Sequence, residues 1–297
     1  MRKLWIGASF VALCSIVSAC GSTASGDSAA VTVNGHDVAM AAYTEAFWGL
    51  RVQYSDSIGY DPCSISSLAS VCTGLKNQAL TKIIDTELVR QYAAAHHISL
   101  PKFDLDREWA VIMANRFANR LDVLEADARH THSTPADIKQ GIADDLLQQY
   151  VIYDVTRNMS LYARAVRLAV IRAGSVKELK QILTQLKQQP NFLLLAKDLT
   201  ASPTSQCAKS QRHCGDLGWV PYPFIQPSEK QIEKTLLGGV DGPYANGSEY
   251  DIYLVEARDL HYRLSVNQAY TMRSGLLFPK WLKQQEKSAH ITKHVQV

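Results

Sequence analysis

Apolar residues recur at helical spacing through the first half of the chain. Leu80, Ile84 and Leu88 stand four apart, with Ile83 beside them, the pattern of one buried helix face. Trp109, Met113, Phe117, Leu121 and Leu124 make a second stripe. Ile138, Ile142, Leu146 and Tyr150 make a third. It follows Thr134-Pro135-Ala136-Asp137, which supplies a capping hydroxyl, a proline at the first helical position and an acid in the first turn. Such stripes are most simply core seams. Upstream, Val31-Thr32-Val33-Asn34-Gly35-His36 reads as a short strand entering a turn, with an amphipathic helix from about Met40.

The texture changes near Arg164. Ala165 to Ile171 is an apolar, strand-like run. Ser175-Val176-Lys177-Glu178 reads as a capping box opening a helix that buries Leu179, Ile182, Leu183 and Leu186. A short helix is expected around Phe192 to Lys197. Another is expected after Ser228, burying Ile232 and Leu236. Tyr250 to Ala257, rich in Ile, Tyr, Leu and Val, is a final strand. Strand, helices, loop and strands within about 100 residues suit one α+β domain. From Val266 to His290 the pattern is helical again.

The N-terminus speaks to compartment. Arg2 and Lys3 precede an apolar run from Leu4 to Val17, with small residues before Cys20. This is a signal-peptide plan, too short for a span of about 20 residues. Val17-Ser18-Ala19-Cys20 resembles a bacterial lipobox, which implies cleavage before Cys20 and lipid on that cysteine. Gly21 to Ala30 is a Gly/Ser/Ala-rich tether. The formal net charge is +3, and losing Arg2 and Lys3 leaves a nearly neutral chain. No basic block points to nucleic acid. Cys14 leaves with the leader and Cys20 takes the lipid, so four cysteines remain: Cys63, Cys72, Cys207 and Cys214. An even number in an exported chain implies disulfides. Three pairings are open; the expected one is local, Cys63–Cys72 and Cys207–Cys214. Neither pair has the CxxC spacing of a zinc site, and no metal or cofactor is expected.

Cys214-Gly215-Asp216-Leu217-Gly218-Trp219 resembles the Gly-Gly-Asp-Leu-Gly-Trp/Phe signature of parvulin-type prolyl isomerases. Four further segments resemble that family in order. They are Val166 to Ile171 (first strand), Asn191-Phe192 with Leu195-Ala196, Leu237 to Pro243, and Tyr250 to Val255 (closing strand). The Val31 to His36 opening, and Phe278-Pro279-Lys280-Trp281-Leu282 followed by Lys287 to Ile291, resemble SurA- and PrsA-like chaperones. The resemblance implies an α + (α+β) fold: a helical chaperone domain from N- and C-terminal segments, with an inserted parvulin-like α+β domain. The expected boundaries are 1–19 signal, 20–30 tether, 31–163 helical domain, 164–262 parvulin-like domain and 263–297 closing helix.

The departures from the family carry equal weight. Its two strand histidines fall on Val170 and Asp251. The loop that often carries an acid or a cysteine reads Thr200-Ala201-Ser202-Pro203-Thr204-Ser205. Isomerisation requires binding a twisted amide better than a planar one. Without the histidines, an apolar cleft remains with weakened or absent catalysis. Trp219, Tyr222, Phe224 and Ile225 are its candidate walls, with core packing the competing reading. If isomerase chemistry survives, Ser202, Asp251 or backbone groups carry it.

Other residues weigh less. His96-His97 ends a helix, where a cation suits the dipole. His130 and His132 read as a solvated loop, and Asp144-Asp145 as an exposed helical face. No GxSxG, HExxH or Walker motif is present. The expected protein is therefore a lipid-anchored extracytoplasmic foldase or chaperone. Its partners are unfolded exported proteins, and the membrane through Cys20. The alternatives are an active prolyl isomerase, or a structural lipoprotein with one dedicated partner.

Overall fold

The computed structural model describes residues 28–202, 205–209 and 214–296; the leader and Cys20 lie outside them. The chain divides into two compact units. One comprises the described residues through Glu87, Met113–Ile138 and those from Ala289; the other comprises Leu88–Ile112 and Lys139–Ser288.

In the first unit, β1 (Ala29–Val33) and β2 (His36–Ala39) form a hairpin. Its turn residues, Asn34 (φ 51°) and Gly35 (φ 82°), both take the left-handed conformation. Asn-Gly tolerates this best, and such a turn matches the strand twist. Val31, Val33 and Val38 are buried. A third strand, β7 (Ile291–Lys293), pairs antiparallel with β1 and completes a sheet of order β2-β1-β7. Asn34 N donates to His290 O at 2.8 Å, and His290 N donates to Asn34 Oδ1 at 2.9 Å. Helical spacing in the tail gave no sign of β7.

Five helices follow β2: α1 (Met40–Ile58), α2 (Ala69–Ala95), α3 (Lys102–Phe117), α4 (Leu121–His130) and α5 (Pro135–Val155). Leu80, Ile83, Ile84 and Leu88 are buried, as their spacing predicts. The second stripe is broken. Ala118 and Asn119 turn left-handed, and Asn119 N bonds Met113 O at 2.7 Å, a helix stop of the C-capping kind. The helix restarts out of phase, so Met113, Phe117 and Leu124 are buried while Leu121 is 68% exposed. Asp144 also departs from expectation: Arg90 grips its carboxylate through Nε and Nη2 at 2.9 and 2.7 Å.

The second unit is built around a four-stranded antiparallel sheet of order β4-β3-β6-β5. Its strands are β3 (Tyr162–Ala173), β4 (Gly215–Pro221), β5 (Val240–Asn246) and β6 (Glu249–Arg263). Alternation splits the side chains between two faces, and both faces of the central strands are covered. Ala169, Ile171, Ala173 and Ile252 pack with Leu179, Ile182, Phe192, Ala196 and Cys207. The last five belong to α6 (Val176–Gln188), α7 (Phe192–Ala201) and α8 (Gln206–Lys209). Val166, Leu168, Val170, Tyr253 and Val255 face the other way, onto Ile225 and Ile232.

Ser175 caps α6, accepting from Glu178 N at 3.1 Å. Glu178 does not return the bond to Ser175. Its carboxylate takes Gly174 N at 2.8 Å and Gln206 N at 3.0 Å, which ties α8 to the end of β3. The helix expected from Ser228 is a 3-10 turn, Pro227–Glu233. Glu229 bonds back to Gln226 N at 3.1 Å, so the start lies before Ser228. The turn ends before Leu236, which is 81% exposed, while Ile232 is fully buried.

After β6, Ser265 and Gln268 form a reciprocal capping box on α9 (Val266–Met272). A π-turn, Arg273–Leu277, leads into α10 (Phe278–Ser288). Phe278 of α10 is buried with Val89 and Ala93 of α2 and Val151 and Ile152 of α5. The expected fold class, helical segments with a small sheet-containing domain, is the class observed.

The clasp between chain ends makes a clear expectation. Removing residues 290–297 strips β1 of one ladder, at roughly 1 kcal/mol per hydrogen bond. Native-state hydrogen exchange at Val31 and Val33 is expected to accelerate by about 30-fold or more, with Val166 and Val255 unchanged.

Candidate functional site

The site sits where β3 and β6 lie side by side. In their register, Arg172 is opposite Asp251 and Val170 is opposite Tyr253. Arg172 is 5% exposed and Asp251 1%. Two charges buried this deeply demand each other, because a lone buried ion is expensive. Arg172 Nε lies 3.1 Å from Asp251 Oδ1, an ion pair whose N–H is not aimed along the contact. Asn246, from the end of β5, donates through Nδ2 to Asp251 Oδ2 at 3.1 Å.

Tyr253 completes the network. Its hydroxyl reaches Glu229 Oε1 at 3.0 Å and Asp251 Oδ2 at 3.3 Å. Burial first, and then the charges of Asp251 and Glu229, push this phenol far above its ordinary range. Tyr244, its ring 6.0 Å from that of Tyr253, is pushed up too, chiefly by burial. Both phenols stay protonated at any physiological pH. The Tyr253 hydroxyl is thereby kept as a donor to the carboxylates beside it.

The β5 backbone presses on this cluster. Gly242 has φ 114°, and a Cβ there would fall 2.9 Å from Asp251 O and 3.3 Å from Ile252 Cα. Only glycine suits both the angle and the approach.

The residues singled out from sequence are distributed unevenly. Asp251 is in the network. Val170 is fully buried in the apolar layer beside it. Ser202 is not brought to Asp251. It ends α7 and lines an open groove of about 750 Å³ with Ser175, Lys177 and Gln181, on the helix-covered side of the sheet. The four candidate wall residues split in two. Ile225 is core, and Tyr222 packs beside it. The Tyr222 hydroxyl accepts from Arg258 Nε at 3.1 Å, and the Arg164 guanidinium lies 4.7 Å from its ring. Phe224 instead packs with Leu264, Ala269 and Met272. Trp219 stacks on Tyr262 at 5.5 Å, and its carbonyl accepts from Gln268 at 2.9 Å.

The described cysteines lie in two pairs, Cys63–Cys72 with sulfurs 2.04 Å apart and Cys207–Cys214 with sulfurs 2.08 Å apart. His132 stacks on Trp48 with centroids 3.9 Å apart, and the Arg51 guanidinium lies 4.2 Å from the same ring. Among the described residues no group of three or more His, Cys, Asp or Glu is placed to hold a metal ion.

Sequence reading missed Arg172, Tyr253, Asn246, Glu229 and Tyr244. A signal was present for the first two. Leu168, Val170 and Arg172 alternate onto one face of β3, and Asp251 and Tyr253 alternate onto one face of β6. An arginine ending an apolar strand, with an aspartate beginning its partner, forecasts a buried pair.

The fold is thus a helical region with a small antiparallel sheet whose faces are both covered. The SurA-like N-terminal domain family matches residues 1–152, half of the chain, and the chain belongs to that family. No curated protein matches it. Among solved structures it is similar to the peptidylprolyl isomerase PrsA of Bacillus anthracis (18% identity, TM-score 0.43, covering 70% of this chain and 96% of that one). It is also similar to the foldase PrsA of Streptococcus pneumoniae (17%, 0.40, 70% and 77%). A third is one of the SurA-like chaperone structures, PEB4 and Cj1289, of Campylobacter jejuni (10%, 0.28, 91% and 100%).

Two outcomes check the site. Arg172→Met or Asp251→Leu alone strands a buried charge and is expected to destabilise the sheet by about 3–5 kcal/mol. The double variant should be less destabilised than either single, read as exchange protection of β3 and β6 amides. Gly242→Ala is expected to cost about 2 kcal/mol or more, measured the same way.

Proposed function

We propose that the chain is an exported chaperone that holds unfolded segments of exported proteins, tethered to a membrane through lipid on Cys20. Its parvulin-like domain contributes apolar surface without isomerase chemistry. The observation that carries the second half is the buried Arg172–Asp251 pair. A catalyst of prolyl rotation needs polar groups free to bind the twisted amide. Here the carboxylate at one expected histidine position is taken up by Arg172, Asn246 and Tyr253. The other position is Val170, which has no polar atom to offer.

Family membership and the leader support the export and chaperone reading. Among the described residues no helix is long and apolar enough to cross a membrane; the tether in this proposal is the lipid on Cys20. Residues 31–163 with 263–297 form the client-holding domain in this proposal. A supporting feature is α1, which carries Tyr43, Phe47 and Trp48 yet has no fully buried residue. Tyr43 and Phe47 stack along it with centroids 6.4 Å apart. A half-buried aromatic helix face can hold extended apolar segments of many sequences.

The test is suppression of aggregation of a chemically unfolded protein by the mature chain. Near-stoichiometric protection is expected, with loss of most of it in the Tyr43→Ser, Phe47→Ser double variant. Full protection by that variant, with loss in Tyr222→Ala, would place client holding in the sheet domain instead. A chain that protects nothing would end the chaperone reading.

A further inference from the structure

The Cys207–Cys214 pair grips the backbone of the residue that makes the site. Arg172 N donates to Cys214 Sγ at 3.3 Å, and Cys207 Sγ lies 3.7 Å from Arg172 O. The amide of Arg172 thus bonds the cystine, and its carbonyl is in van der Waals contact with it. The reason is topological. The β3–β4 ladder ends at Val170 opposite Gly215, so Arg172 lies past the reach of β4. The cystine stands where the next strand residue would be.

The two sulfurs differ in access. Cys207 is 3% exposed, within the core under the helices. Cys214 is only partly buried. It lines an open groove of about 460 Å³ with Leu193, Lys197, Thr200, Ala201, Gly215 and Asp216. A nucleophile arriving from solvent therefore meets Cys214. Lys197 in the same groove favours an anionic one.

We infer that this groove is a thiol–disulfide exchange site, and that the cystine is a reducible clamp on the Arg172–Asp251 pair. The co-reactant is a dithiol. Its first thiolate attacks Cys214 Sγ, the Cys207–Cys214 bond breaks, and Cys207 departs as a thiolate that takes a proton. The second thiolate attacks the dithiol's own sulfur in the mixed disulfide. Cys214 leaves and is protonated, and the co-reactant departs as a disulfide. Two electrons and two protons reach the protein. Nucleophilic access and thiolate character decide which sulfur is attacked.

Opening the clamp frees Arg172 without freeing the whole segment. Gln206 stays bonded to Glu178 through its backbone N–H and to Glu249 through its side chain. So α8 remains docked while the Arg172 amide loses its acceptor. The guanidinium loses the backbone anchor that aims it at Asp251. This inference rests on the geometry of the pair and not on the chaperone reading.

The test uses the whole mature chain without denaturant. Glutathione is added at low conversion and the adduct mapped by peptide mass. Dithiothreitol is then used to open the bond, and amide exchange is followed. Expected are an adduct on Cys214 in at least about tenfold excess over Cys207, and Arg172 exchange faster by about tenfold or more. Val166 and Val255 exchange should not change. The Cys207→Ser, Cys214→Ser double variant should reproduce the reduced protein. An adduct chiefly on Cys207 would overturn the inference, as would a bond that resists dithiothreitol in the folded chain. So would unaltered Arg172 exchange in the reduced protein or the variant. Collapse of protection across all of β3 and β6 would overturn it too, since the bond would then be a global staple.

Discussion

The second unit depends on one constraint: a charge taken out of water needs an opposite charge beside it. Arg172 and Asp251 are the most deeply buried ionic pair described, on the two central strands of the sheet. The desolvation of both is severe, and their attraction offsets it only with further polar support. The structure supplies that support from three directions. Asn246 comes from β5, Tyr253 from β6, and Glu229 from the turn after β4. Holding the pair therefore fixes how β5 and that turn lie on the sheet.

Arg258 does similar work nearer the surface. Its guanidinium bonds Tyr222, the carbonyl of Ile232 at 3.0 Å and the carbonyl of Thr235. The loop between β4 and β5 is thereby sewn to β6. The apolar layer beneath, Ile225 and Ile232 on Val166, Val170 and Val255, is closed by side chains of the chain itself. A sheet face covered in this way is core. This is why Ile225 is a packing residue here, and why Tyr222 alone of the four candidate wall residues keeps company with both the core layer and solvent.

Helical stripes were legible in the sequence where the helix was continuous. Leu80 to Leu88 is one such case. The stripe through Leu121 failed because a left-handed turn at Ala118 and Asn119 resets the phase, and side-chain hydrophobicity carries no record of it. Asn34-Gly35 was legible as a turn, since few pairs suit two positive φ angles. The strand β7 was not, because its partner lies near the other end of the chain and three residues carry no period. The central strands were legible as apolar runs. The pair was half legible: Asp251 stands where the family has a histidine, while Arg172, near the end of an apolar strand, reads as an ordinary charge at a strand end. Ser228 misled because Gln226, two residues before it, and Glu229, one after it, form the capping box instead.

The central proposal is that the carboxylate of Asp251, at one expected histidine position, is taken up by Arg172, Asn246 and Tyr253 and is not available for rotating a prolyl bond. Magnetisation-exchange NMR on a proline-containing peptide reads this directly. Uncatalysed exchange takes tens to hundreds of seconds, so even weak catalysis is visible. The account predicts that the mature chain at micromolar concentration leaves the exchange rate unchanged while still binding unfolded protein. Exchange accelerated into the seconds range by the wild-type chain, and lost in Asp251→Asn, would contradict it.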